Sequence, residues 1–192
     1  MNVKALKGKE AKVRIDEIAA LRMEVFREFP YLYEGTVENE EEYLSRYLEA
    51  TGFMAIVAED KHQIVGVSTC LPLEQEIDDI TAPFVRRNIS LDSVLYFGES
   101  VLKRSYRGRG LGVRFFDERE SYARDMGREA CYFCAVERSP DHSLKPAGYR
   151  DLQDFWKKRG YEITDLFCTL EWQDIDQDSE TEKSLRFWKK EL

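Results

Sequence analysis

A chain of 192 residues with 43% hydrophobic and 34% charged side chains is long enough to bury a real core in one domain, and too apolar to stay disordered. Its net charge of −8 argues against bulk nucleic-acid binding, which needs a basic face to neutralise phosphates, although a local basic stretch runs from Lys103 to Arg114. Residues 1–7 lack an apolar stretch of signal-peptide length and no run of about 18 apolar residues occurs, so neither secretion nor a membrane partner is expected and the cytoplasm is the default compartment.

Residues 2–7 suit a short edge strand. Ile15, Ile18, Ala19, Val25, Phe26 and Phe29 then recur at helical spacing with only Arg22 breaking the stripe, which predicts an amphipathic helix ending before Pro30. Residues 31–35 read as an aromatic loop. A second helix follows, with an acidic first turn from Glu38 to Glu42 and an apolar stripe of Tyr43, Leu44, Tyr47 and Leu48. Carboxylates suit a helix N-terminus, so the acidic run needs no functional reason. A strand over 53–58, a turn over 59–63 and a returning strand over 64–71 make a hairpin.

Residues 74–88 read as helix, and residues 94–102 as one long strand leading into a basic, glycine-rich segment from Arg104 to Gly112. A helix then extends to about Met126, with Leu111, Phe115, Tyr122 and Met126 inward. A strand over 130–136, a helix over 151–158 stopped near Gly160, and a strand over 163–172 complete the series. The domain is therefore expected over 1–173. Residues 174–192 read as an acidic linker and a C-terminal amphipathic helix with Leu185, Trp188 and Leu192 on one face, docked on its own domain or serving as a homodimer contact. Hairpins mixed with crossover helices imply an α/β chain, α+β in character, with a mixed sheet covered by helices.

The cysteines, Cys70, Cys131, Cys134 and Cys168, each fall inside an apolar, strand-like run. Cys131 and Cys134 form a C-x-x-C, but no second ligand pair accompanies them, and His62 and His142 lie far off in sequence. Buried, reduced thiols and no metal site are the expectation.

The informative event is strand, glycine-rich basic turn, helix. Gly108, Gly110 and Gly112 let the backbone approach a ligand without Cβ interference. The first turn of the following helix presents unpartnered N–H groups, which with the helix dipole favour an anion, and a pyrophosphate is the natural guest. The glycine spacing is not the dinucleotide fingerprint, and no Gly-Lys-Ser/Thr follows to make a Walker A loop.

Arg107-Gly-Arg-Gly-Leu-Gly112 resembles the R/Q-x-x-G-x-G/A signature of the GNAT superfamily of N-acyltransferases, matching it at Arg107, Gly110 and Gly112. The flanking strand and helix agree with that family. Trp156-Lys-Lys-Arg-Gly-Tyr161, about 45 residues later, is similar to its Y-x-x-x-G-F ending. The resemblance covers residues 1–173 and implies a GNAT-like mixed, mostly antiparallel twisted sheet of six to seven strands flanked by helices. It implies acetyl-CoA as cosubstrate, with the pyrophosphate on the turn formed by Arg107, Gly108, Arg109, Gly110, Leu111 and Gly112. The pantetheine arm would pair with Ser100, Val101, Leu102 and Lys103. The reaction it implies is direct attack of a primary amine, on a small molecule or peptide, at the thioester. A non-catalytic acyl-CoA-binding sensor or regulatory module is the alternative.

An amine with a lysine-like pKa of about 10 must lose a proton before it attacks. Glu99 interrupts the apolar run from Leu95 to Leu102 just before the turn, and a carboxylate in such a run is either functional or paired, so Glu99 is the candidate base and an ion pair with an arginine is the alternative. Trp156 stands where the family often has a tyrosine acid, and Gly148 where it usually has asparagine. Tyr149 and Tyr161 are the candidate substitutes for that acid. On the acceptor side the resemblance points to the first two helices and their connection, where Phe29, Tyr31, Tyr33 and Glu34 put aromatic rings beside a carboxylate, a combination suited to a cationic amine.

Overall fold

The computed structural model describes all 192 residues, from Met1 to Leu192. In chain order the elements are β1 (Asn2–Leu6), α1 (Lys9–Val13), α2 (Ile15–Phe26), α3 (Val37–Glu49), β2 (Met54–Asp60), β3 (Gln63–Pro72), α4 (Asp78–Arg86), β4 (Val94–Tyr96), β5 (Ser100–Leu102), α5 (Leu111–Asp125), β6 (Ala130–Val136), α6 (Gln153–Lys158), β7 (Glu162–Gln173) and β8 (Glu180–Glu191). The strands form one eight-stranded sheet in the order β1-β2-β3-β4-β6-β8-β7, with β5 also paired to β3. Only β4 and β6 run parallel; every other pairing is antiparallel. The sheet is mixed and mostly antiparallel, with eight strands rather than six to seven.

Helices cover both faces, and the strands alternate between two cores. Along β6, Ala130, Tyr132 and Cys134 enter the core beneath α2, α3 and α4, while Cys131 and Phe133 enter the core beneath α5. A strand buried on both sides reads as an unbroken apolar run, which is how β2, β3 and β6 appear in the sequence. All four cysteines are buried and free. No helix is long and apolar enough to cross a membrane.

The long strand expected over 94–102 is broken. β4 pairs with both β3 and β6, whereas β5 pairs with β3 alone. Between them Phe97 N–H still donates to Tyr132 O at 2.8 Å and Gly98 N–H to Thr69 O at 3.2 Å. Gly98 is required by close approach: a Cβ there would lie 2.6 Å from Thr69 Oγ1 and 3.0 Å from the Tyr47 ring. Beyond this kink β5 turns from β6 and the sheet opens, as irregularities of this kind do when they end a ladder.

The C-terminal segment corrects the sequence reading. Residues 180–191 are not a docked helix but β8, inserted between β6 and β7 with Cys134 opposite Phe187 and Cys168 opposite Leu185. Leu185 and Phe187 fill one core and Trp188 the other. The spacing that suggested a helical stripe is that of a strand buried on both faces, and the open sides of β6 and β7 supply hydrogen-bond partners along its whole length. Residues 174–192 are thus part of the domain rather than an appendage, and Asp174, read as linker, is 1% exposed.

Candidate active site

The turn after β5 is shaped by its glycines and fastened by its arginines. Gly108 and Gly110 take φ of 73° and 80°, and Gly110 is the residue that starts α5. A non-glycine residue in this left-handed region carries steric strain. Arg107 donates from Nε to Leu102 O at 3.0 Å and grips both oxygens of Glu28, at 2.8 and 3.0 Å. It therefore ties the turn to the end of β5 and to the segment after α2. Arg109 folds back onto Ser105 O at 2.9 Å. The N–H groups of Leu111, Gly112 and Val113 have no acceptor inside the helix, so they and the dipole of the 15-residue α5 face the turn.

A cleft of about 930 Å³ runs from this turn into the opening between β5 and β6. One wall is Ser100, Val101 and Leu102, whose β6-facing backbone edge is unpaired. The opposite wall is Phe133 to Val136 of β6. Trp156 closes the cleft on the α5–α6 side, its ring 5.0 Å edge-on from Phe133 and 5.0 Å from Trp188. An amide-rich turn leading to an unpaired strand edge fits a pyrophosphate followed by an amide-bearing arm.

Of the positions singled out from sequence, Glu99, Tyr149, Phe29, Tyr31, Ser100, Val101, Leu102, Arg107, Gly108, Gly110 and Gly112 all border this one cleft. Others do not. Lys103 gives its amide to Val65 O and pairs with Glu24 at 3.0 Å, Arg109 is occupied by Ser105, and Leu111 is buried in the core. Tyr33 lies against Gly35, and Glu34 pairs with Arg27 at the surface, so neither faces the acceptor end. Tyr161 is 1% exposed, donates its hydroxyl to Glu120 at 3.3 Å and packs among Phe97, Phe116 and Phe133. Burial pushes its phenol far above the usual range, and it is removed from consideration as the acid.

Glu99 sits in a buried ionic cluster. Its Oε2 accepts from Tyr43 at 2.9 Å and pairs with Arg22 at 2.8 Å. Arg22 pairs through Nε with Glu40 at 2.6 Å and lies 4.0 Å from the Tyr43 ring. Burial pulls Arg22 down, but Glu99, Tyr43 and Glu40 outweigh it and hold the guanidinium well above its ordinary value. One cation therefore faces two carboxylates. Oε1 of Glu99 and Oε1 of Glu40 are both buried without a hydrogen-bond partner. The sequence signal for this cluster was Arg22, the single charge in an apolar stripe.

At the acceptor end Tyr149 meets Phe29 edge-on at 4.7 Å, and His142 lies 5.8 Å from the same ring. Burial, then the charge of Asp151, raises the Tyr149 phenol, which keeps its proton. Arg138 was missed by the sequence reading. It donates to Pro30 O at 2.8 Å and Tyr31 O at 2.7 Å and holds Asp174 at 2.7 and 2.8 Å, anchoring the aromatic loop to the sheet.

An open mixed sheet whose strands part beside a glycine turn and a helix N-terminus defines a CoA-dependent acyltransferase scaffold. Residues 16–161 match the model of the Acetyltransferase (GNAT) family, and the chain belongs to that family, which uses acetyl-CoA as acyl donor. No curated protein matches the sequence. Among solved structures the chain is similar to a ribosomal-protein-alanine N-acetyltransferase from Brucella melitensis, with 16% identity, TM-score 0.63 and 100% of both chains covered. It is similar to an aminoglycoside 6'-N-acetyltransferase complexed with coenzyme A, with 17% identity, TM-score 0.61, and 100% of this chain and 97% of that one covered. An aminoglycoside 6'-N-acetyltransferase from Enterococcus faecium is similar at 16% identity and TM-score 0.60, with the same coverage. At these identities the likeness is one of fold.

Proposed function

We propose that this protein transfers an acetyl group from acetyl-CoA to a primary amine of a small molecule or peptide, by direct attack and without a covalent enzyme intermediate. The observation that carries the reading is the kink at Phe97–Glu99, which joins the anion-binding turn to a buried carboxylate within one cleft. Acetyl-CoA supplies an activated acyl thioester. The amides at the start of α5 hold its pyrophosphate, and Arg107 fixes their geometry through Leu102 and Glu28. The free edge of β5 orients the arm, with Trp156 packing alongside.

Glu99 is the base in this reading. The Arg22–Glu40–Glu99 cluster, with two carboxylates to one guanidinium and an unpartnered Oε1 on each carboxylate, takes the proton released by the amine by becoming neutral. Phe29 and Tyr31 form the wall against which the amine's carbon skeleton packs, and Tyr149, which borders the same cleft and keeps its proton, is the proton donor in this reading.

Calorimetric titration with acetyl-CoA, with NAD as control, tests the donor. Turnover on an amine panel that includes an aminoglycoside and an alanine peptide tests the reaction, since proteins named for those acceptors share the fold. Tight acetyl-CoA binding without turnover on any amine supports the second reading, an acyl-CoA-binding sensor. Trp156 at the tyrosine position and the burial of Tyr161 favour that alternative.

A further inference from the structure

Arg119, two turns into α5, is the largest of the fully buried side chains, at 1% exposure. The other buried cations have carboxylate partners: Arg22 with Glu40 and Glu99, Lys183 with Asp174. Arg119 has only neutral ones. Its Nε donates to Phe115 O at 3.1 Å, one terminal nitrogen to Thr69 O at 3.3 Å and Glu99 O at 3.4 Å, and the other to Ser100 Oγ at 2.9 Å. Its guanidinium carbon lies 4.1 Å from the centre of the Phe97 ring and 4.9 Å from that of Phe116. Four acceptors serve five N–H groups, so one remains unpaired.

Among the groups nearest Arg119 only the Glu99 carboxylate carries charge, and its pull is outweighed by burial. Cys70 on β3 and Cys131 on β6 are pushed up to about 12, chiefly by burial, and stay protonated. Tyr161, after α6, is raised further by burial. The Glu99 carboxylate points to α2 and α3, where Arg22 and Tyr43 hold it. On α5 itself Glu120 is taken by Lys190 at 2.7 Å and by Arg159. Burial pulls Arg119 down from its ordinary value. A buried cation with no carboxylate bonded to it is costly, because buried charges are ordinarily paired.

Arg119 borders the same cleft as the kink at Phe97 to Ser100, which is where the acetyl-CoA reading puts the acyl end. Resting on the acetyl-CoA reading above, we infer that Arg119 stabilises the negative charge that leaves on the CoA sulfur. When the amine lone pair forms the C–N bond, the C–S bond breaks and its electron pair stays on sulfur; the nitrogen's proton leaves through Glu99. Trp156, at the position where related enzymes often carry a tyrosine, has no proton to give, and a fixed guanidinium performs the equivalent task electrostatically. Arg119 donates no proton and is not consumed.

The test is the ionisation of CoA itself on the intact protein. Ultraviolet absorbance of the thiolate is followed through a pH titration of the CoA complex, with the complex of CoA lacking its sulfur as the blank. Free CoA titrated under the same conditions supplies the reference ionisation. On the wild-type protein the sulfur is expected to ionise at least tenfold more readily, and Arg119→Met should abolish the difference while Arg119→Lys retains most of it. Arg119→Gln, which keeps a donor for Ser100, serves if the methionine variant does not fold. A bound sulfur that titrates like the free thiol overturns the inference, as does a shift that survives in a folded Met or Gln variant. Absence of CoA binding by calorimetry refutes instead the donor reading on which it rests. A purely structural arginine would shape the kink and leave the sulfur's ionisation unchanged.

Discussion

Gly110→Glu separates the shape of the CoA turn from its electrostatics. A Cβ at Gly110 meets nothing within 4 Å, so the first atom of a new side chain has open space before α5. The price is backbone strain: φ at 80° costs a non-glycine residue about 1–2 kcal/mol, well inside a typical stability of about 5–15 kcal/mol. The new carboxylate then stands where the pyrophosphate binds. At about 5 Å a pair of like charges repels by about 0.8 kcal/mol in bulk water and about 3 kcal/mol at an effective dielectric of 20. Two phosphate charges in a half-open cleft therefore lose about 2–4 kcal/mol, or roughly 30- to 1,000-fold in affinity. Calorimetry with acetyl-CoA measures this, and circular dichroism confirms the fold. Gly110→Gln carries the same strain and bulk without charge, and Gly110→Lys reverses the sign, so affinity should fall in the order Lys, Gln, Glu. A folded Gly110→Glu variant that binds acetyl-CoA within threefold of wild type would refute the placement of the pyrophosphate.

Arg22→Met leaves Glu40 and Glu99 buried without their shared cation, and should cost about 3–5 kcal/mol. With a urea slope near roughly 2 kcal/mol per molar, the unfolding midpoint falls by about 1.5–2.5 M, and a loss under about 1 kcal/mol would contradict the cluster. Glu99→Gln should lower turnover and alter the pH–rate profile while leaving acetyl-CoA affinity intact; an unchanged profile excludes Glu99 as base. Burial alone would raise the Asp174 carboxyl, but Arg138 and then Lys183 outweigh it and hold it below its ordinary value. Its stabilising contribution is therefore complete above the unfolded carboxyl's pKa of about 3.9 and is lost as pH falls below that toward the folded value. Asp174→Asn should accordingly be less stable than wild type at neutral pH, with the gap in unfolding midpoint narrowing below about pH 4. A gap that stays constant on acidification is inconsistent with the Arg138–Asp174 pair.

What the chain alone disclosed was local. Gly108 and Gly110 before a helix, with Gly112 in its first turn, declare an anion-binding turn because left-handed backbone, free N–H groups and a dipole all arise within a few residues. Glu99 and Arg22 each stood out as a charge in an apolar pattern, and for Glu99 the sequence could say that it was either functional or paired. It could not say that they were each other's partner, since a contact between positions 22 and 99 depends on how α2 packs across β5. Residues 180–191 were misread for the same reason: Leu185, Trp188 and Leu192 fit a helical stripe, and only the open edges of β6 and β7 make the segment a strand. Nothing in the sequence marked Arg119. Its burial with only neutral hydrogen-bond partners exists only once β3, β5 and β6 close around it. Backbone conformation and residue type are short-range properties that a sequence carries openly, whereas the pairing of buried charges is settled by packing between segments distant along the chain.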